Sequence, residues 1–129
     1  MTKTIEPHVF FLDDEPQVRD VVRETLEDVG IKVTCFACPT ECLTQLYSQK
    51  CDLLITDLRM PNLSGEEVLQ KATNAQSNLP VIILTGHGSD REEELAIQMG
   101  AFAYLRKPVD IDVLTRTMEA AYRRRRESE

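Results

Sequence analysis

The chain has 129 residues, 42% apolar and 29% charged, with only 5 Gly and 6 Pro; that is enough to bury a core without staples, and it excludes collagen-like, low-complexity and disulfide-scaffold classes. The excess of 22 acids over 15 bases gives a net charge of -7, which repels nucleic-acid phosphates and anionic membranes. No apolar run approaches the roughly 20 residues of a membrane span, and Met1 to Pro7 is no secretion signal, so the expectation is a cytoplasmic domain with no membrane attachment and no direct nucleic-acid binding.

The first element is Val9-Phe10-Phe11-Leu12, too short for a helix and too continuously apolar for a strand with one wet face, and therefore a strand covered on both sides. Asp13-Asp14-Glu15 follow it. From Pro16, a favoured first helical residue, Val18, Val21, Val22, Leu26 and Val29 keep helical spacing until Gly30 stops the helix. Ile31 to Phe36 alternates and suits an edge strand, and a weaker helical pattern covers Thr40 to Tyr47. Cys35, Cys38, Cys42 and Cys51 raise a metal or redox reading, but neither His8 nor His87 lies near them in sequence. Cys42, among Leu43, Leu46 and Tyr47, reads as a small apolar core residue instead.

Leu53-Leu54-Ile55 is the third strand, and Asp57 lies just beyond it. Ser64-Gly65-Glu66-Glu67 and Ser89-Asp90-Arg91-Glu92 both fit the capping box, in which a serine accepts from the third helical amide and the glutamate reaches back; they open the third and fourth helices. Val81-Ile82-Ile83-Leu84, followed by Thr85, and Phe102-Ala103-Tyr104-Leu105, followed by Arg106-Lys107, are expected as further central strands. Asp110 is the N-cap of a last helix whose stripe is Ile111, Leu114, Met118, Ala121 and Tyr122. Residues 123–129 hold the consecutive arginines Arg123 to Arg126 and read as a basic helix end or a linker. Strictly alternating strands and helices predict a doubly wound α/β fold with a five-stranded parallel sheet, and the absence of a linker or repeat predicts one domain over 1–129.

In such a sheet the functional crevice lies outside the carboxyl ends of the strands. The residues just past the runs are Asp13, Asp14 and Glu15, then Asp57, Thr85 and Arg106-Lys107, so three carboxylates, a hydroxyl and an ammonium should converge there. Gathered carboxylates need a cation, and oxygen ligands without an EF-hand spacing point to Mg2+, with Asp14 and Asp57 as direct ligands and Asp13 acting through water. A carboxylate so placed, beside a lysine and a hydroxyl, is able to attack a phosphoryl group; Asp57 is the acceptor, with Lys107 and Thr85 on the transferred oxygens. Each residue alone has an ordinary reading: Asp13 or Asp14 as a cap for the helix at Pro16, Lys107 as a surface charge, Thr85 as a strand-end hydroxyl, Tyr104 as a core aromatic.

Phe11-Leu12-Asp13-Asp14-Glu15, Ile55 to Pro61 with Ser64-Gly65, Ile83-Leu84-Thr85-Gly86 and Tyr104-Leu105-Arg106-Lys107-Pro108 together resemble the receiver domain of two-component response regulators, from about His8 to Tyr122. The resemblance implies a CheY-like, flavodoxin-like strand order of 2-1-3-4-5 and a signalling phosphoacceptor rather than an enzyme. It implies phosphorylation of Asp57 by a sensor histidine kinase or phosphotransfer protein, and Mg2+ held by Asp14, Asp57 and the backbone carbonyl of Arg59, with Asp13 in the site. It also implies a cis bond before Pro108, movement of Thr85 toward the phosphoryl group and inward rotation of Tyr104. These would reshape the face of helix four, strand five and helix five, which is also a possible homodimer surface; His87 would flank the phosphoryl site. Three rivals share parts of this reading. A flavodoxin-type binder would need an anion-welcoming loop where Asp13-Asp14-Glu15 stands. An aspartate-nucleophile phosphohydrolase would carry a second carboxylate where Arg59 stands, and a receiver-like module could act without phosphorylation.

Overall fold

The computed structural model describes residues 7–57, 63–86 and 88–128. Its elements run β1 (His8–Leu12), α1 (Pro16–Asp28), β2 (Lys32–Phe36), α2 (Pro39–Ser48), β3 (Leu53–Thr56), α3 (Gly65–Ala75), β4 (Val81–Thr85), α4 (Asp90–Gln98), β5 (Ala103–Arg106) and α5 (Ile111–Ser128). The strands form one parallel sheet in the order β2-β1-β3-β4-β5. The expected fold class, strand order and edge position of β2 are observed.

Alternation along the central strands divides the core into two layers. Phe10, Leu12, Leu54 and Ile83 face one side, packed with Cys42 and Leu46 of α2, Val68 and Leu69 of α3 and Ala96 of α4. Val9, Phe11, Ile55, Ile82 and Leu84 face the other, against Val22 and Leu26 of α1 and Leu114, Met118 and Ala121 of α5. Each fully buried Leu, Ile or Phe contributes about 1.5–3 kcal/mol. The local signals act as their chemistry dictates. Pro16 opens α1, and Gly30 ends it at φ +84°, a left-handed conformation that costs glycine little. Ser64 and Glu67 form a complete capping box, Ser89 accepts from the Glu92 amide, and Asp110 Oδ1 accepts from the amides of Asp112 and Val113.

Three expectations need correction. The run Phe102 to Leu105 is not central: β5 is the second edge strand, and its apolar residues are covered by helices and by the Arg124 guanidinium, 5.5 Å from the Phe102 ring centroid. Val21 and Val29, counted in the α1 stripe, are exposed, as is Tyr47 beside α2's buried Cys42. Helix α2 starts at Pro39 rather than Thr40, because the fixed φ of proline already suits the first helical turn. All four cysteines are free, and burial pushes the Cys42 thiol up and that of Cys51 up to about 12, as expected for core residues.

Candidate functional site

The carboxyl edge of the sheet is built by continuing the ladder one residue past each strand. The Asp13 amide donates to Phe36 O at 3.1 Å, the Asp57 amide to Leu12 O at 3.2 Å and the Lys107 amide to Thr85 O at 2.9 Å. These bonds fix the residues that follow β1, β3 and β5 at one edge of the sheet. The Glu15 amide donates to Asp13 Oδ1 at 2.9 Å and Arg19 Nη1 to the Asp13 carbonyl at 2.7 Å, so the turn into α1 locks the Asp13 carboxylate. The peptide between Lys107 and Pro108 is cis, as the resemblance implies.

Lys107 Nζ donates to Asp13 Oδ2 at 2.8 Å, Asp57 Oδ2 at 2.9 Å and Glu15 Oε1 at 3.1 Å. An ammonium has three donors, and here each has a carboxylate. Asp13 and Asp57 are buried, at 0% and 4% exposure. Burial raises the Asp13 carboxyl above its ordinary value, while the hydrogen bond from Lys107 works against that rise. Burial also opposes the Lys107 charge, but its bonds to Asp13, Asp57 and Glu15 outweigh this and hold the ammonium well above the usual lysine range. The Thr85 side chain, at the end of β4, is buried.

Asp13, Glu15 and Asp57 offer oxygens within 4.8 Å of one another. Three carboxyl groups share the one ammonium of Lys107. The donor set is all oxygen and one edge is solvent-facing, which fits a hard divalent cation that keeps part of its water shell. Asp13, Asp57 and Lys107 meet as expected, and the Thr85 backbone carbonyl accepts from the Lys107 amide beside them. Asp14 is different: it is exposed and is not one of the three clustered carboxylates, and Glu15 takes the third place on the lysine. The sequence placed Glu15 at the strand end without giving it a role; its signal was an acid directly before Pro16. Arg59 and His87 lie outside the described residues.

Tyr104, paired with Ile83 across β4 and β5, is 8% exposed, with its ring already turned inward. Arg106 lies over that ring, 5.9 Å from its centroid, and reaches Asp90 Oδ1 at 2.9 Å and Glu93 Oε1 at 3.6 Å on α4. Sequence reasoning assigned nothing to Arg106.

Residues 9–119 match the response regulator receiver domain family. The transcriptional regulatory protein FixJ of Bradyrhizobium diazoefficiens is 34% identical over 120 residues, covering 93% of this chain and 58% of that protein. The C4-dicarboxylate transport transcriptional regulatory protein DctD of Rhizobium meliloti is 36% identical over 120 residues, 93% of this chain and 26% of its own length. This chain thus spans between about a quarter and three-fifths of these relatives. Among solved structures, a response regulator receiver domain protein from Clostridium thermocellum superposes with a TM-score of 0.90 at 34% identity, covering 95% of this chain and 99% of that one. FixJ-N gives a TM-score of 0.84 at 30% identity, covering 93% and 96%.

Proposed function

Because this chain belongs to the response regulator receiver domain family, we propose that Asp57 is its phosphoacceptor, loaded by a sensor histidine kinase or a phosphotransfer protein. The observation that carries this reading is the Lys107 ammonium, 2.9 Å from Asp57 Oδ2 and 2.8 Å from Asp13 Oδ2, at the carboxyl edge of the sheet. An Asp57 oxygen attacks phosphorus in line, the bond to the donor nitrogen breaks, and the electron pair leaves with the donor. Lys107 is placed to bind an oxygen of the arriving group, and the Thr85 hydroxyl to donate to another.

Asp14, Asp57 and the backbone carbonyl of Arg59 would hold Mg2+, with Asp13 acting through water, as the family resemblance implies. When bound, the metal neutralises the oxygens of the transferring phosphoryl group. The domain is a signalling phosphoacceptor rather than an enzyme with a separate substrate. Thr85 and Tyr104 carry the change to the face of α4, β5 and α5, where an output partner or a second copy docks. We assign the chain to the cytoplasm and read 1–129 as one receiver domain, with 123–129 as its basic helix end. Among the described residues no helix is long and apolar enough to cross a membrane.

Incubation with a small-molecule phosphodonor, read by intact mass spectrometry, tests the proposal. One phosphate per chain is expected with magnesium, and none in EDTA or in Asp57→Asn; full incorporation under either condition contradicts it.

A further inference from the structure

Three glycines near the switch elements differ in what they are for. Gly100 has φ +106°, which only glycine adopts cheaply, and at Gly86 an added β-carbon would meet nothing closer than the Lys107 side chain at 3.7 Å. Gly88 has no left-handed φ, so its backbone would accept any residue. What it lacks is room. A β-carbon there would lie inside the van der Waals surface of the Tyr104 hydroxyl oxygen, 2.7 Å from Tyr104 Cζ and 2.9 Å from Thr85 Cγ2.

The ring that fills this space is held by shape and by stacking. Arg106 covers its outer side and is tied to Asp90 and Glu93, so β5 and the first turn of α4 close around it. The hydroxyl works against that position. It is buried with no well-formed hydrogen bond among the described residues, and the Ser89 backbone provides only a weak contact. A buried hydroxyl without a good partner favours release to water. The inward position therefore lacks the hydrogen bond that water would supply outside.

We propose that residue 88 is the steric gate for Tyr104: glycine at this position opens the slot beside Thr85, and the size of residue 88 sets how far the ring enters. The colliding ring atoms are the far end of a rotatable side chain, whereas Thr85 closes a buried strand. The ring is thus the part that yields when the slot is filled. Gly88 is a positioning residue; its importance for signalling rests on the switch reading given above, but its steric role does not.

The test uses unphosphorylated protein with ring-labelled tyrosine and a soluble paramagnetic agent. Of the three tyrosines, Tyr47 is 70% exposed and serves as the internal standard, and Tyr→Phe changes at 47 and 122 assign the signals. In the native sequence the Tyr104 ring should broaden several-fold less than that of Tyr47; in Gly88→Ala the two should broaden alike. Protection of Tyr104 in Gly88→Ala, or full exposure in the native protein, overturns the gate. A stability cycle covers the case in which Gly88→Ala folds poorly. In a Tyr104→Ala background the fall in melting temperature caused by Gly88→Ala should be at least halved; an undiminished fall would show that the glycine serves the backbone and not the ring. Neither readout involves phosphate, so failure of Asp57 phosphorylation and failure of the gate are distinguishable.

Discussion

Asp13 has two carboxylate oxygens with two separate tasks: Oδ1 accepts the Glu15 amide that turns the chain into α1, and Oδ2 accepts from Lys107. Its carboxyl is raised by burial above its ordinary value of 3.8, so the folded state binds this proton more tightly than the unfolded state does. The group therefore favours folding below pH 3.8, and that advantage is lost as pH rises through the raised folded value. Asp13→Asn should accordingly stabilise the metal-free protein at pH 7 by about 1 kcal/mol, with Lys107 still held by Asp57 and Glu15, and the gain should vanish below the ordinary carboxylate range. Calorimetry in EDTA across that range checks it, and destabilisation at pH 7 would contradict the account. Asp14 is the contrasting case. Because it is exposed and outside the lysine's three bonds, Asp14→Asn should change metal-free stability by no more than about 0.5 kcal/mol while weakening magnesium binding, which isothermal titration reads directly. Asp57, Thr85 and Lys107 were legible because each stands just past an apolar run. Which of three adjacent acids would face the lysine was not legible, since the Asp13 turn decides it and no periodicity records that turn.

At the scale of elements, the capping residues carry the clearest message. Ser64 Oγ accepts the Glu67 amide at 3.2 Å, and the Glu67 carboxylate returns to the Ser64 amide at 3.5 Å. Ser64→Ala should therefore cost about 1 kcal/mol in denaturant unfolding, with an unchanged m-value; a loss within experimental error would show that packing of Val68 and Leu69 alone fixes the start of α3. Strands and helix starts were readable because continuous apolar runs and cap residues are local signals. The width of a buried helical face is not local. Helical spacing placed Val21 and Val29 in the α1 stripe, yet the sheet takes up only a narrow face centred on Val22 and Leu26, and the other two stay wet. The edge position of β5 was hidden for the opposite reason: α4, α5 and the Arg124 guanidinium cover it well enough that its sequence resembles a central strand.

Across the whole molecule, the sheet concentrates acid at its carboxyl edge, while α5 carries the arginines to the opposite end. There Arg124 and Arg125 line a cavity of about 280 Å³ with Thr73, Ser77 and Phe102, at the level where β4 and β5 begin. Arginines at this end suit the carbonyl termini of the helices that finish beside them, so at least part of the basic tail is engaged within its own domain. Between the two ends, Thr85 on β4 and Tyr104 on β5 both lie beside Gly88. If Thr85 couples the acidic site to the α4–β5–α5 face, Thr85→Ala should still bind beryllofluoride at Asp57 but shift the amides of α4 and β5 much less than the native protein does. A full-sized response in the variant would separate the site from that face. We propose that the Lys107 fork marks Asp57 as the phosphoacceptor. Borohydride reduction of the phosphorylated protein, followed by peptide sequencing in a mass spectrometer, converts an aspartyl phosphate to homoserine where it stands. The account predicts homoserine at position 57 alone and only when magnesium was present; homoserine at 13 or 14, or none at 57 in a protein that carries phosphate, would contradict it.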